Sequence, residues 1–409
     1  MTGTTAFDVI VVGGGPAGAT AAKALADAGV STLLLDKSAF PREKPCGGGI
    51  SVRVLSRFPY LADALARIPV NRVSKVYFES PGGFAVDYRA ESALYLMIRR
   101  CEFDNLLLSL ARPRIEFVNA LVRKLAVHSD HVSVATDEHQ YRARLVIGCD
   151  GANSIIARAA GLRIGGVQDQ YAIDMMEETP YAELNTSERD RMYIYYRVRS
   201  HYGYGYVFPK TNHVNAGVGF KLDYYLSHLR GGHYAHHKAF VEDLAGKGLL
   251  EGASNPANFR AFPLPISGPL ARTYAARVLL AGDAGGFVNA ITGEGIYYAM
   301  VSGEHAARTA IAALRAGDLG AAQLSGYERD WKQEAGDELK QSVRLQKLLL
   351  ADPERIDRLI RAAARHPQLA DVLARYTTGS ITHQQFRRLM LRRALPVYLR
   401  EKMRMLFSV

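Results

Sequence analysis

Several residue types and patterns are scarce in this 409-residue chain, and each shortage excludes a class of protein. The chain has three cysteines, an odd number that argues against a disulfide framework and for a reducing cytoplasm. No apolar run reaches the roughly 18 residues that a membrane span requires. The 37 glycines and 16 prolines are too few for a collagen-like or low-complexity chain. The first residues, Met1 to Phe7, carry neither the basic segment nor the apolar stretch of a signal peptide, so we expect a cytoplasmic protein.

What remains is the composition of a globular protein with a basic surface. Hydrophobic residues make up 48% of the chain and charged residues 22%, which excludes disorder, and the length allows two or three domains. The net charge of +11 favours anionic lipid, nucleic acid or phosphorylated ligands as partners, or it serves general solubility. No DNA- or RNA-binding signature accompanies it, so we expect no nucleic-acid partner. The twelve histidines show no metal-ligand spacing, and His233, His236 and His237 fall in an expected polar loop, so no metal is assigned.

The first fifty residues have the order strand, glycine turn, helix, strand, acid. Asp8 to Val12 form a short β-branched run that leads into Gly-Gly-Gly-Pro-Ala-Gly and an alanine-rich helix, and a second apolar run ends at Asp36. Gly13 permits the turn, Gly15 lets the backbone approach a pyrophosphate, and Gly18 lets the helix pack on the strand. The helix N-terminus offers N–H groups to phosphates, and Asp36 can accept ribose hydroxyls. An acid at this position disfavours a 2′-phosphate, which indicates FAD or NAD rather than NADP.

Two later segments repeat the order of strand, polar turn and helix. Leu145 to Ser154 reads LVIGCDGANS and places Asp150 at the end of a strand, while Arg277 to Gly286 places Asp283 in the same way. The second segment continues through NAITGEGI into a helix that runs to about Leu314. An acid above a helix start can bind a ribityl hydroxyl, and backbone N–H groups at a helix start stabilise the negative charge of a reduced flavin. These two motifs favour FAD.

With these motifs the chain resembles the flavoproteins built like aromatic-ring hydroxylases. Within that group, KPCGGGI and the stretch YGYVFPK from Tyr204 to Lys210 are similar to the geranylgeranyl reductase family, which usually shows Tyr-x-Trp-x-Phe-Pro-Lys followed by Asn-x-Gly-x-Gly. Asn215 to Gly219 fits the second pattern. The resemblance covers roughly Phe7 to Leu314. It implies an α/β fold with a discontinuous Rossmann-type FAD-binding lobe, a β-sheet substrate lobe and a helical C-terminal region.

The resemblance also implies a set of site residues. The FAD contacts it implies are Gly13, Gly15, Gly18, Asp36, Lys37, Cys46, Gly47, Gly49, Arg100, Leu121, Asp150, Asp283, Gly293, Gly295 and Ile296. Arg100 would pair a flavin phosphate, and its spacing to Phe103-Asp104 favours it over the neighbouring Arg99. The substrate residues would be Tyr204, Tyr206, Phe208 and Pro209. The candidates for chemistry are Cys46 and Tyr206, with simple packing as the other interpretation of Cys46.

The sequence departs from the family pattern at two places on the substrate side. Tyr206 replaces the expected tryptophan, so the aromatic wall is smaller and gains a hydroxyl. Asn289-Ala290 stands where relatives commonly have Asp-Pro near the flavin ring. Six tyrosines crowd into Tyr193 to Tyr206, and they form either a half-exposed sheet or an aromatic slot beside the flavin. We favour the slot because the family motif lies inside this stretch.

The resemblance divides the chain into three regions. Residues 1–75, 95–165 and 270–320 would form the FAD-binding domain, residues 76–94 and 166–269 the substrate-binding domain, and residues 321–409 the helical C-terminal region. The end, Phe386 to Phe407, interleaves seven basic residues with apolar ones and has a single acid. Such a helix can lie on an anionic bilayer, giving peripheral membrane contact, or can pack on the body with a solvated basic face.

Three functions fit this pattern. The first is an FAD-dependent reductase of carbon–carbon double bonds in an isoprenoid or other lipid-like substrate, with NAD(P)H or a protein as electron donor, since no second glycine-rich unit holds a resident nicotinamide. The second is a flavin monooxygenase or halogenase acting on an aromatic or carrier-bound substrate, because fold does not fix function. The absence of Trp-x-Trp counts against a halogenase. The third is a non-catalytic flavin sensor or scaffold, against which the retained Gly293 to Ile296 helix start argues.

Overall fold

The computed structural model describes residues 6–163 and 168–393 of the chain. They form two compact units, each assembled from three separate segments. Within the described residues, the first unit comprises 6–44, 99–172 apart from 164–167, and 263–343, and the second comprises 45–98, 173–262 and 344–393. Residues 45–75 therefore group with the second unit and residues 321–343 with the first. The division into FAD-binding, substrate-binding and helical regions stays a prediction, because compactness alone does not show what a unit binds.

The described residues alternate helices and strands along most of their length. The strands are β1 (Ala6–Val12), β2 (Thr32–Asp36), β3 (Gly49–Ser51), β4 (Asn71–Val73), β5 (Lys75–Glu79), β6 (Ala85–Arg89), β7 (Tyr95–Met97), β8 (Glu116–Asn119), β9 (Lys124–Val127), β10 (Val132–Ala135), β11 (Gln140–Gly148), β12 (Tyr171–Pro180), β13 (Leu184–Asn185), β14 (Arg191–Val198), β15 (His201–Pro209), β16 (His213–Lys221), β17 (Glu251–Gly252), β18 (Phe259–Pro265), β19 (Tyr274–Ala275) and β20 (Val278–Leu280). The helices are α1 (Pro16–Asp27), α2 (Arg53–Arg57), α3 (Leu61–Ala64), α4 (Arg100–Ala111), α5 (Ile155–Ala159), α6 (Leu222–His228), α7 (His233–Gly246), α8 (Ile296–Ala316), α9 (Ala321–Trp331), α10 (Asp337–Leu350), α11 (Glu354–Arg365) and α12 (Pro367–Thr377). The predicted α/β class with a helical C-terminal region is confirmed.

A parallel sheet organises the first unit. It belongs to an eight-stranded sheet, in which β20, β11, β1, β2 and β8 lie side by side in this order and pair in parallel. The other three strands are antiparallel: β19 pairs with β20, and β10 pairs with β11 and β9. β1 and β2 are buried almost throughout, which explains why both read as continuous apolar runs rather than as alternating ones. Helix α1 connects β1 to β2, so the turn before it lies at the carboxyl end of β1, the edge where open α/β sheets bind their ligands.

The second unit is built on a seven-stranded sheet in the order β18, β12, β16, β15, β14, β5 and β6. Side chains on its two faces belong to two separate apolar cores, as the alternation along a strand requires. One core includes Tyr206, Phe208 and apolar residues of α11 and α12. The other includes Tyr193, Tyr195 and apolar residues of α7. Tyr193 and Tyr195 therefore share one face of the sheet, and Tyr204 and Tyr206 share the other, as the alternation along a strand predicts.

The interpretation of residues 233–237 as a polar loop is wrong. These residues begin α7, and His237 is fully buried against the sheet. His237, Phe240 and Leu244 are spaced three and four residues apart, which places them on one helix face toward the core. The three neighbouring histidines hid this spacing. Among the described residues no group of three or more His, Cys, Asp or Glu side chains is arranged to hold a metal.

The described part of the chain contains no helix with both the length and the apolar character needed to cross a bilayer. The predicted basic amphipathic segment from Phe386 to Phe407 lies mostly outside the described residues, which end at residue 393. Within them, Arg393 donates a hydrogen bond to Asp371 of α12. The alternatives for this segment, a bilayer surface or the protein body, stay predictions.

Candidate functional site

The glycine turn between β1 and α1 has the backbone that a bound diphosphate requires. Gly13 has a φ of +103°, in the left-handed region that favours glycine. A Cβ at Gly18 would overlap the carbonyl oxygen of Gly13, so only glycine lets the helix approach the turn this closely. Gly15 caps α1 and Pro16 is the first helical residue, which leaves the remaining N–H groups of the first turn available to an anion.

The Asp36 carboxylate is held in place at the end of β2. Its two oxygens accept hydrogen bonds from the backbone N–H groups of Gly14, at 2.6 Å, and Ser38, at 2.8 Å. Each carboxylate oxygen has a second lone pair, so these bonds orient the group and leave capacity to accept a ribose hydroxyl. Lys37, the next residue, is exposed, and Leu121 is half-buried just beyond β8, the strand that pairs with β2.

Two arginines share one buried carboxylate beside this turn. Arg100 donates to both oxygens of Asp104, at 2.8 and 2.7 Å, and Arg42 lies 3.1 Å from the same side chain. A Cβ placed on Gly15 would lie 3.5 Å from Nη2 of Arg42 and 4.0 Å from Nη2 of Arg100. Asp104 is fully buried and neutralises only one of the two guanidinium groups. Arg99, the alternative to Arg100 for pairing with a flavin phosphate, forms an ion pair with the exposed Glu43 instead.

Sequence reasoning missed Arg42. Its Nη1 atom is buried and has no hydrogen-bond partner among the described residues, although a buried guanidinium N–H normally has one. The available signal was a basic residue directly after Pro41, in the loop that leads to Cys46. We call the turn Gly13–Gly18 together with Arg42 and Arg100 the phosphate cradle.

Asp150 caps a helix. Its carboxylate accepts hydrogen bonds from the Ser154 hydroxyl, at 2.5 Å, and from the N–H groups of Ile155 and Ile156, at 2.7 and 3.2 Å. Burial raises the pKa of this carboxyl, and the hydrogen bonds oppose that effect. These contacts fix the start of α5 and account for the Asp-Gly-Ala-Asn-Ser pattern locally. A direct contact from Asp150 to a cofactor stays a prediction.

Helix α8 begins where the sequence predicted a helix start. Gly293 has a φ of +69° and Gly295 caps the helix, so that Ile296 is its first residue. A Cβ placed on Gly295 would lie 3.6 Å from Oδ1 of Asp283, so this carboxylate is next to the helix N-terminus. The first N–H groups of a helix have no partners within it, and their dipole favours negative charge.

The departure Asn289-Ala290 has a structural explanation. The Asn289 side chain accepts hydrogen bonds from the N–H groups of Ile291 and Thr292, at 3.0 and 3.2 Å, and forms the turn before α8. The N–H of Ala290 donates to the hydroxyl of Ser342 at 3.0 Å. A proline has no N–H to donate, so alanine at this position adds a bond that ties the turn to α10.

The first unit therefore fits an adenine dinucleotide that carries a flavin. The cradle supplies positive charge and an orphaned guanidinium N–H for the diphosphate, and Asp36 supplies acceptors for the ribose. The α8 N-terminus supplies a positive dipole end of the kind that a reduced flavin anion requires.

In the second unit, the two motifs that carried the family resemblance contact each other. The turn Cys46–Gly49 lies on the aromatic rings of β15, where a Cβ at Gly47 would come within 2.9 Å of Phe208 and 3.3 Å of Tyr206. Lys210 donates to the carbonyl oxygen of Gly47, and the Asn215 amide donates to that of Cys46 at 3.2 Å. The sequence separates these residues by more than 150 positions, and the fold brings them together.

The Tyr206 side chain is hydrogen-bonded to a carboxylate. Its hydroxyl donates to Asp174 of β12, with distances of 3.2 and 3.4 Å to the two carboxylate oxygens. Burial raises the pKa of Tyr206 well above its usual value, and the negative charge of Asp174 adds to this effect. A Cβ at Gly217 would overlap the Tyr206 ring, which explains the glycine in the strand motif Asn-x-Gly-x-Gly. Sequence reasoning did not find Asp174, because no local motif marks it.

Three predicted substrate residues line one face of the sheet. The ring centroids of Tyr204 and Tyr206 are 5.9 Å apart, and those of Tyr206 and Phe208 are 4.6 Å apart. Apolar residues of α11 and α12 pack in the same core. Pro209 is the next residue along β15 and falls on the opposite face by alternation. We call Tyr204, Tyr206 and Phe208 the aromatic face.

Comparison with known proteins agrees with this geometry. Residues 6–342 match the family model described as FAD binding domain. The chain is 30% identical to digeranylgeranylglycerophospholipid reductase 2 of Methanopyrus kandleri, over 84% of this chain and 86% of that protein. It is 32% identical to the geranylgeranyl diphosphate reductase of Synechocystis, over 80% and 81% of the two chains. It is 33% identical to the chloroplastic geranylgeranyl diphosphate reductase of rice, over 74% of this chain and 66% of that protein.

Solved structures show the same fold. A geranylgeranyl bacteriochlorophyll reductase-like protein of Thermoplasma acidophilum superposes with a TM-score of 0.80 at 22% identity, covering 95% of this chain and 99% of that one. A flavin-dependent brominase superposes with a TM-score of 0.72 at 19% identity, over 97% and 100% of the two chains. At these identities the superpositions establish the architecture, and the relatives described above carry the family.

Proposed function

The chain belongs to the FAD-dependent geranylgeranyl reductase family, and on that basis we propose that it reduces carbon–carbon double bonds in an isoprenoid or related lipid. The names of the relatives support an isoprenoid substrate class. The observation that carries the proposal is the aromatic face, whose three rings lie among apolar side chains of the same core. Adjacent, mutually tilted rings and aliphatic side chains complement a hydrocarbon chain and offer little to a polar substrate.

The reaction requires one hydride and one proton. FAD, when bound in its reduced form, would be the source of the hydride for one carbon of the double bond. An isolated alkene is a poor hydride acceptor, so the chain has to provide an acid in a dry site for the other carbon. The C=C π bond is replaced by two C–H bonds, and the acid is left as its conjugate base until solvent returns the proton.

We propose Cys46 as the proton donor and Tyr206 as the residue that positions it or the substrate. The N–H of Gly48 lies 3.4 Å from the Cys46 sulfur and would stabilise a thiolate after the proton has left. The raised pKa of Tyr206 makes its phenolate costly in this environment, which argues against Tyr206 as the proton donor. The hydrogen bond to Asp174 fixes the ring orientation.

The function is tested by anaerobic turnover. Dithionite-reduced holoprotein is incubated with geranylgeranyl diphosphate, and the product is expected to gain about 2 mass units for each reduced bond. A product that forms only after oxygen is admitted, about 16 units heavier, would support the alternative of a monooxygenase. Repeating the assay with NADH, NADPH or a reduced ferredoxin-type donor in place of dithionite identifies the electron donor, which we propose to be NAD(P)H or a protein.

Replacing the thiol tests the proton donor. We expect Cys46→Ala to keep FAD, measured by visible absorbance, and to lose most of its turnover, while Cys46→Ser recovers a part. Cys101→Ala is the matched control, because Cys101 lies on α4 in the first unit. Full FAD occupancy with unchanged turnover in Cys46→Ala would remove Cys46 from the chemistry.

Replacing the phenol separates positioning from packing. Tyr206→Phe keeps the ring and removes only the hydroxyl that donates to Asp174. We expect a lower turnover at unchanged FAD occupancy and an altered pH profile, because the Asp174 carboxylate loses its phenol donor. If rate and pH profile both match the parent protein, the residue contributes packing alone.

A further inference from the structure

A second, basic cavity lies on the other side of the seven-stranded sheet. Its volume is about 420 Å³. It is formed by the tip of the β14–β15 hairpin, the end of β16 and helix α7. Its lining consists of Val198, Arg199, Ser200, His201, Phe220, His236 and Ala239. We call it the basic cavity. Val198 and Phe220 belong to the core that contains α7, so the cavity does not open onto the aromatic face.

The ionisable side chains that line this cavity are all basic. Arg199, His201 and His236 are its ionisable lining residues, and none of the described carboxylates lines it. The Nε2 atom of His236 is buried and has no hydrogen-bond partner in the described part of the chain. Burial lowers the pKa of His236, repulsion from His201, His233 and Arg199 lowers it further, and a hydrogen bond with the backbone of Arg230 opposes these effects. Basic groups that converge without a counterion are the arrangement that an anionic ligand completes.

The hairpin tip holds its arginine in an unusual conformation. Arg199 has a φ of +55°, a region that residues with a Cβ rarely adopt and that two-residue hairpins usually fill with glycine or asparagine. The Arg197 side chain donates to the Arg199 carbonyl oxygen at 2.6 Å and stabilises this turn. Strained backbone conformations are often found in residues that line binding sites.

We propose that the basic cavity binds a phosphate or diphosphate group, with the attached apolar part of the ligand against Phe220 and Val198. The lining includes one guanidinium and two imidazoles, which supply N–H donors, and a phosphate offers more acceptor oxygens than a carboxylate does. This site is separate from the aromatic face. It would hold a phosphorylated small molecule or the headgroup of a phospholipid, which share this chemistry.

The test measures binding to FAD-loaded full-length protein without turnover, so its outcome is independent of the proposed reductase function. Inorganic pyrophosphate and phosphate are titrated calorimetrically, and histidine signals are followed by NMR. We expect pyrophosphate to bind with a Kd of about 1 mM or tighter and to shift the signals of His201 and His236. Arg199→Gln and His236→Gln should each weaken binding at least about tenfold. Lys238→Gln removes an exposed charge from the same helix and should change the Kd by less than about twofold.

Vesicles distinguish the two sources of the phosphate. Phosphatidylcholine vesicles with and without phosphatidylglycerol are compared in a flotation assay. Binding to the anionic vesicles that Arg199→Gln and His236→Gln weaken, and that pyrophosphate displaces, indicates a lipid headgroup. Pyrophosphate binding with vesicle binding unchanged in both variants indicates a soluble ligand. The proposal is overturned if no pyrophosphate or phosphate binding is detected at about 10 mM, or if both variants bind as the parent protein does.

Discussion

At the scale of single residues, the sharing of Asp104 by two arginines explains how the cradle remains positive. Burying two guanidinium groups without any acid would cost several kcal/mol, and pairing both of them would leave no charge for a ligand. One carboxylate between two arginines offsets part of the cost of burying them and still leaves a net positive charge for the ligand. Arg100 takes the bidentate geometry, and Arg42 keeps a buried N–H without a partner among the described residues, beside Gly15.

This arrangement predicts a specific loss in Arg42→Gln. Removing one charge-assisted contact to a diphosphate should weaken FAD binding by roughly tenfold to a hundredfold, which corresponds to about 1.4 to 3 kcal/mol. The measurement is a fluorescence titration of apoprotein with FAD. Arg99→Gln is the matched control, because Arg99 pairs with exposed Glu43 and should leave the affinity within about twofold. Equal affinities in parent and Arg42→Gln proteins would exclude Arg42 from the cradle.

At the scale of elements, helix α8 depends on its close approach to α1. A Cβ at Gly303 would overlap the carbonyl oxygen of Ala17, so the two backbones touch at this point. Helix propensity alone would make Gly303→Ala stabilising by about 1 kcal/mol. We expect destabilisation instead, by roughly 1 to 3 kcal/mol, because α8 has to move away from α1. Thermal unfolding of the holoprotein checks the sign.

Gly326→Ala in α9 is the matched control for that change. The nearest atom to a Cβ at Gly326 is the end of the Arg329 side chain, at 3.3 Å, which can move aside. The same substitution in a second helix interior should therefore be neutral or stabilising by up to about 1 kcal/mol. A loss of stability in both variants would assign the effect to glycine replacement in general rather than to the α1–α8 contact.

Helix α7 carries a pH dependence through His237. Burial lowers the pKa of this histidine to about 4, and its Nε2–H donates to the Ala216 carbonyl oxygen at 3.1 Å. The unfolded chain, with an ordinary histidine pKa near 6.5, binds the proton first, so stability is complete above about pH 6.5 and falls as the pH decreases toward 4. The full loss is about 3 kcal/mol. Glu177, whose pKa is raised by burial, gives a dependence of opposite sign above its own unfolded pKa.

The contribution of His237 to the pH dependence is obtained by comparing the free energy of unfolding of the parent protein with that of His237→Gln. Urea unfolding of the parent protein and of His237→Gln is measured between pH 7 and pH 4.5. We expect the stability advantage of the parent protein to shrink as the pH falls through this window, because only the parent has to keep the imidazole neutral. A constant difference across the window would show that His237 contributes packing and hydrogen bonding but no proton linkage.

At the scale of the whole molecule, the sequence predicted what local motifs encode. The glycine turn, Asp36 and the α8 start follow from strand, turn and helix order, and each lies where that order places it. The resemblance named the motif at Cys46–Gly49 and the motif on β15, but their contact was not predicted, because no spacing rule joins residues so far apart in the chain. Arg42 and Asp174 were missed because single charged residues in a loop and a strand carry no pattern. The loop predicted at His233 failed because three polar residues masked a helical period.

The net charge of +11 belongs to the whole chain and predicts its salt response. If the basic end from Phe386 to Phe407 rests on a bilayer, the holoprotein should float with vesicles containing phosphatidylglycerol and not with pure phosphatidylcholine. Raising the ionic strength from about 50 to 300 mM should release most of it, because charge attraction is screened over shorter distances. Binding that persists at high salt, or that needs no anionic lipid, would favour apolar insertion over this electrostatic mechanism.

Helices α11 and α12 have a consequence for how the quality of a protein preparation is assessed. α11 and α12 contribute Ile356, Ile360 and Leu373 to the core that holds Tyr206 and Phe208, yet none of the cradle residues lies in them. A protease cut before α11 would therefore leave a protein that still binds FAD but whose Tyr206 and Phe208 rings are exposed to water. Under the proposed function, such a clipped molecule would pass electrons from the reductant to O2, which forms hydrogen peroxide, and would leave the hydrocarbon unreduced. Visible absorbance therefore measures how much of the protein holds FAD. Only the amount of reduced product formed per reductant consumed measures how much of the protein is intact.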